Sequence, residues 1–225
     1  MRDTETTATA QTRRRFLKGG AALLGAGALA GCTGESGETP TTAEPTTEDG
    51  PETTTDPSYS VTMEPVGTVT FDGVPTTWAA NNGSWADMGI ALGQDPPEAL
   101  YLASRYHTQL YDEIPGVSVD GDAIDSLWGS ELPPEAFIEL SSSVDFFAMD
   151  PNFVLGRTQN WEQTDIDRIE ATGTPFFANS IFSRGYDWHD YPYLSLYEAF
   201  EKLAAVFQER ERYEAFASVH EAFQE

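Results

Sequence analysis

The chain has 225 residues and a formal net charge of −25, from 37 acidic residues against 12 basic ones. An excess of that size excludes nucleic acid as a partner, because phosphate contacts need clustered Lys and Arg, and it argues against docking on an anionic membrane through charge. A single cysteine, Cys32, rules out an intrachain disulfide, so stability must come from the core.

At the N-terminus Thr12-Arg13-Arg14-Arg15-Phe16-Leu17-Lys18 is followed by a short Gly/Ala/Leu run and then by Leu29-Ala30-Gly31-Cys32. A twin-arginine pair before a modest apolar stretch is read by an export machine that moves folded proteins. Leu-Ala-Gly-Cys matches a lipobox, in which Cys32 is acylated and becomes the new N-terminus; the alternative is a chance cysteine. Gly19 to Gly31 is shorter than the ~20 apolar residues that span a bilayer, which argues against a permanent transmembrane helix. Durable tethering needs about two acyl chains, and a diacylglyceryl group on Cys32 would supply them. Residues 1–31 are therefore expected to be a twin-arginine signal peptide. The protein is expected on the outer face of the cell membrane, held there by lipid.

Residues 32–58 are almost entirely Thr, Glu, Pro, Gly, Ser and Asp. Such a segment cannot bury enough apolar surface to offset its ordering entropy, and it is expected to be a disordered acidic tether. Its threonines offer sites for O-linked sugar. The acidic residues continue along the whole chain, which suits a protein of very salty surroundings where self-repulsion is screened. A calcium-binding acidic surface is the second reading, although no spacing resembles an EF-hand loop.

Folding is expected to start near Tyr59, and residues 59–194 read as one α/β lobe. Val66 to Phe71 alternates apolar and polar residues, and Thr77 to Ala80 is a short apolar strand. Trp85 to Leu92 has helical periodicity closed by Gly93. Ala99 to Ala103 reads as a short strand and Pro133 to Leu140 as a short helix with proline in its first turn. Val144 to Met149 is a compact apolar run, stopped by Asp150-Pro151, that fits a buried parallel strand. Thr164 is the expected cap of a helix running to about Ala171, and Pro175 to Ala178 is another strand. The alternation of strands and helices predicts three layers around a mostly parallel sheet.

Residues 195–225 give the clearest helical signal. Ser195 and Glu198 form a capping box, and Leu196, Phe200, Leu203, Phe207, Tyr213, Phe216, Val219, His220 and Phe223 recur at helical spacing. About 30 residues at ~1.5 Å each predict one rod of roughly 45 Å. That exceeds what one lobe needs, and the rod ends without a stop signal, so the chain is expected to be a fragment of something that continues.

The ordered set Val74-Pro75-Thr76-Thr77-Trp78-Ala79-Ala80, Trp85-Ala86-Asp87-Met88-Gly89-Ile90-Ala91-Leu92-Gly93, Ser142 to Pro151, Gly173-Thr174-Pro175-Phe176-Phe177 and Ser195 to Glu225 resembles the solute-binding lipoproteins of ABC importers for iron–siderophore complexes and vitamin B12. That family has two α/β lobes joined by one long helix, with the ligand held between the lobes. The resemblance implies a first lobe plus a long inter-lobe helix, with the second lobe missing. It also implies an ABC permease and ATPase as partners, a ferric chelate or similar small molecule as ligand, no resident cofactor and no covalent chemistry. The usual Lys-Pro before the buried strand is replaced here by Ser142-Ser143.

In an open parallel sheet, ligands sit beyond the carboxyl ends of the strands. That rule selects Asn82 and Trp85 after the first strand, Arg105, Tyr106 and His107 after the second, and the loop Asp150-Pro151-Asn152-Phe153 after the buried strand. The long stretch before the last helix adds Arg184, Tyr186, Trp188, His189 and Tyr191. Aromatic rings give contact area at low entropic cost, and an arginine fork suits carboxylate or hydroxamate oxygens. Packing in the core is the competing role for these aromatics. His107 and His189 could instead hold a bare metal ion, although no close ligand spacing is present. A lipid-anchored extracellular α/β hydrolase is the other alternative. Its nucleophile elbow would be Gly-x-Ser-x-Gly, and the nearest match, Asn82-Gly83-Ser84-Trp85-Ala86, lacks the second glycine.

Overall fold

The computed structural model describes residues 58–127, 132–158 and 160–224. The signal peptide, the lipobox with Cys32 and nearly all of the expected tether lie outside the described residues.

The described chain opens with an antiparallel hairpin, β1 (Tyr59–Met63) and β2 (Gly67–Phe71), in the register Tyr59↔Phe71 and Val61↔Val69. Alternation decides its two faces. Val61, Met63 and Phe71 are buried, while Ser60 bonds Thr70 and Thr62 bonds Thr68 across the outer face, at 2.8 and 2.7 Å.

Four short parallel strands follow: β3 (Trp78–Ala80), β4 (Ala99–Leu100), β5 (Asp125–Ser126) and β6 (Phe146–Ala148), in the spatial order β5-β4-β3-β6. The chain therefore leaves β3 towards β4 and later returns to its other side as β6. A single bridge, Phe147↔Phe176, continues the sheet where a full strand over Pro175 to Ala178 was expected. The expected strand over Ala99 to Ala103 is only two residues long, because the backbone turns into a 3-10 helix at Ala103–Arg105.

Both faces of this sheet are covered, as continuous apolar runs require. Trp78, Ala80, Phe146 and Ala148 point into one core with the hairpin, α1 (Gly83–Ala91) and α5 (Leu196–Val206). Ala79, Phe147 and Met149 point into the other, with α2 (Pro134–Leu140), α3 (Pro151–Arg157) and α4 (Gln163–Glu170). The result is three layers around a parallel sheet. Asp145 closes the near end of the sheet, accepting from the backbone of Thr76 and Thr77 at 2.7 and 3.0 Å.

Three local readings need correction. Asp150-Pro151 ends the strand as expected, but it also starts a helix that was not expected. The Asp150 carboxylate accepts from Asn152 N at 2.9 Å and caps α3, with proline in its first turn. The cap of α4 is Glu162, not Thr164: Glu162 and Asp165 form the box, which places Thr164 inside the first turn.

The third correction concerns the single rod over residues 195–225. Ser195 and Glu198 do form the capping box. However, α5 ends at Val206, Gln208 takes a left-handed backbone (φ 55°), and a separate α6 (Arg210–Gln224) runs back along α5. The reason lies in Gln208-Glu209-Arg210-Glu211-Arg212, five polar residues that give a straight rod nothing to bury. Folding back places Tyr197 against His220 at 4.0 Å and Phe200 against Tyr213 and Phe216 at 5.4 and 5.9 Å. Arg212 Nε then donates to the Ala91 carbonyl at the end of α1, at 3.0 Å.

Candidate ligand-binding cleft

The carboxyl ends of β3, β4 and β6 open onto one cleft of about 610 Å³. Each wall has a local cause. After β3, Asn81 anchors to the neighbouring strand through its N–H to the Ala148 carbonyl (3.1 Å), and Asn82 caps α1 by accepting from Ser84 N at 3.1 Å. Asn81 is buried, and its side-chain amide nitrogen has no hydrogen-bond partner among the described residues. Tyr106 lies across Gly83, where a Cβ would stand 2.9 Å from the ring.

After β4, buried Tyr101 leads into two 3-10 turns, Ala103–Arg105 and Thr108–Glu113, which bring Arg105, Tyr106, His107 and Tyr111 to the rim. After β6, α3 contributes Phe153 and, one turn later, Arg157. The stretch before α5 adds Phe182 and Tyr186. The rings of Tyr101, Phe153, Phe182 and Tyr186 meet edge to face in succession, at 5.0, 5.4 and 5.9 Å, and form an apolar wall. The Arg157 guanidinium sits 5.8 Å from the centre of the Tyr186 ring.

The electrostatics are uneven. Between residues 58 and 224 there are seven basic side chains. Arg168 and Arg210 form salt bridges, Arg212 holds the Ala91 carbonyl, and Arg184 lies over the Tyr193 ring at 4.2 Å. Arg105 and Arg157 both line the cleft, and neither has an acidic partner among the described residues. Elsewhere on the lining, the Tyr106 hydroxyl meets that of Tyr111 at 3.1 Å, and Tyr111 bonds Asp87. Burial, reinforced by that chain, pushes the Tyr106 phenol well above its ordinary range and Tyr111 up to about 12. Burial also raises Tyr101, which the Arg157 charge pulls partway back.

Of the residues expected from sequence, Asn82, Arg105, Tyr106, His107 and Tyr186 line this cleft. Trp85, Arg184, Trp188, His189 and Tyr191 do not. Trp85 points away from the cleft, fully buried in the core beneath α1, because its place on the helix faces the sheet. Trp188 packs over Gly156 and stacks on Tyr186 at 4.2 Å, so it backs the wall rather than forming it. Tyr191 donates to Asp150, which also accepts from Ser180 at 2.5 Å, and this ties the stretch to the start of α3. His189 lies against Tyr191 and Tyr193, with Nδ1 3.0 Å from the Ser183 carbonyl. His107 and His189 thus belong to different surroundings. No group of three or more His, Cys, Asp or Glu side chains placed to hold a metal ion occurs among the described residues.

Sequence reasoning reached Phe153 as part of the loop after the buried strand, and it missed Arg157, Asp87 and Tyr111. The signal for Arg157 was available. An aspartate before proline is a good helix start, and α3 read from that start puts Phe153 and Arg157 four residues apart on one face. Asp87 and Tyr111 had no such signal, since only the fold brings them together.

No protein-family model and no curated protein matches the chain. Among solved structures it is similar to the siderophore-binding protein BauB, bound to a complex of two acinetobactin molecules and ferric iron (15% identity, TM-score 0.47, covering 73% of this chain and 51% of that one). It is similar also to Staphylococcus aureus SirA complexed with staphyloferrin B (10% identity, TM-score 0.44, 71% and 46%). A third is a periplasmic binding protein from Veillonella parvula (15% identity, TM-score 0.48, 73% and 51%). The chain spans about half the length of the solved structures it matches.

Proposed function

We propose that this chain is one lobe of an extracytoplasmic substrate-binding protein that captures an iron–siderophore-type chelate and delivers it to an ABC permease and its ATPase. The observation that carries this reading is the pair of guanidinium groups, Arg105 and Arg157, that have no acidic partner among the described residues and line an aromatic-walled cleft of a strongly acidic molecule. Arg184 and Arg212 also lack an acidic partner, but they lie outside the cleft, on the Tyr193 ring and the Ala91 carbonyl. Arg105 and Arg157 face the cleft and are available to an anionic ligand, which they grip as planar forks. The cleft lies beyond the carboxyl ends of a parallel sheet, beside the strand where the chain reverses its direction of travel, and such crevices hold ligands in open α/β sheets. In this reading the protein works without covalent chemistry, exported by its twin-arginine leader and held to the membrane through Cys32.

Equilibrium titration of the full-length protein with ferric chelates in high salt tests the proposal. Saturable binding is expected. Arg157→Ala should weaken it roughly ten- to a hundredfold, the usual cost of removing one charged hydrogen-bond partner. Absence of binding to ferric chelates, cobalamin and haem alike would overturn it.

A further inference from the structure

Asp87, Tyr111 and Tyr106 all line the cleft, and the hydrogen bonds among them leave no proton to offer. A phenol carries one proton, and an ionised carboxylate only accepts. Tyr111 spends its proton on Asp87 Oδ1. The 3.1 Å bond between the two phenols must then be donated by Tyr106. Both phenol oxygens therefore present only lone pairs to the cleft. Asp87 is exposed, so its carboxylate keeps acceptor sites open to the cleft. Arg105 and Arg157, on the same lining, have only donors. One cleft thus carries a donor-only set and an acceptor-only set.

We propose that the Asp87–Tyr111–Tyr106 chain is a specificity element that selects ligands bringing an N–H or O–H donor to this edge while their anionic part meets the arginines. The inference rests on the anionic-chelate reading above and adds to it a demand on the ligand's other end. A ligand with a methylated or acceptor-only end would strip water from these oxygens and give nothing back. Sites built around a missing partner reject such analogues strongly. The chain has a preferred direction, since turning the Tyr111 proton outwards breaks its bond to the Asp87 carboxylate and turning that of Tyr106 breaks the bond between the phenols.

The test uses two ferric chelates of 2,3-dihydroxybenzoyl-lysine, one with a free side-chain amine and one with that amine trimethylated. They carry equal charge and differ in N–H donors. Titrated into the full-length protein at neutral pH in about 2 M KCl, where long-range charge effects are screened, the amine form should bind at least about tenfold tighter. In Asp87→Ala the Tyr111 proton is released and can turn to the ligand, so the preference should fall to about twofold or less. Asp87→Asn, which keeps an acceptor for Tyr111 but adds an amide donor, should reduce it in the same direction. Equal binding of both chelates to the unaltered protein, with Arg157→Ala still weakening both, would overturn the donor selection and leave the anionic-chelate reading standing. Binding of neither chelate would overturn this inference, and the anionic-chelate reading falls with it only if other ferric chelates, cobalamin and haem fail to bind as well.

Discussion

Gly156 shows how one residue fixes the cleft from behind. A Cβ there would lie 2.2 Å from the Trp188 ring, and Trp188 stacks on the cleft residue Tyr186. Gly156→Ala must therefore push Trp188 away and disturb the wall. An overpacking cost of about 1–3 kcal/mol in denaturant melts is expected, together with weaker ligand binding. The tyrosines supply a second check at this scale. Burial pushes Tyr59 and Tyr111 up to about 12 from the ordinary 10.0, and it raises Tyr101, Tyr106, Tyr191 and Tyr213 as well. A phenol raised on folding favours the native state fully below its ordinary pKa. That contribution is lost as pH rises through the raised value. Phenolate absorbance of the native protein should consequently lag well behind that of the guanidinium-unfolded chain above pH 10, with stability falling towards pH 12. Coincident titration curves would contradict the packing described.

Among the elements, the α5–α6 hairpin depends on a left-handed residue that is not glycine. Gln208 adopts φ 55°, and Glu209 N bonds the Ala204 carbonyl at 2.9 Å, closing the end of α5. Glycine takes that conformation without the side-chain penalty. Gln208→Gly is expected to stabilise the protein by about 0.5–1 kcal/mol, less the bond from its side chain to the Ala205 carbonyl. If the segment ran straight, as its periodicity alone suggests, the same change would place glycine inside a helix and destabilise by a similar amount. Chemical denaturation of the two proteins thus separates hairpin from rod by sign.

Charge acts on the molecule as a whole. With a net −25, most acidic groups have no cation to meet, and the described salt bridges all involve either Arg168 or Arg210. Self-repulsion should dominate the salt response. Raising KCl from about 0.1 to 2 M shrinks the screening length from ~10 Å to under ~3 Å and is expected to raise Tm by about 5 °C or more. A flat or falling Tm would show that the acidic surface does not strain the fold.

The layers of this protein were legible in the chain because they follow from short-range rules. The buried strand β6 lies within Val144 to Met149, Gly93 follows the end of α1, and Ser195 with Glu198 begins α5. Half of the candidate cleft was legible too, because Asn82, Arg105, Tyr106 and His107 directly follow strands, and strand ends converge in a parallel sheet. Periodicity could not tell one long helix from two that pack on each other, since Tyr213, Phe216 and His220 recur correctly for either. What decided between them was burial against Tyr197 and Phe200. In the same way, only the folded chain chose which aromatics face the cleft and which support it, and only it brought Asp87 to Tyr111. Local sequence sets the period of each element, whereas a hydrogen bond or ring contact between distant residues exists only once the elements have docked.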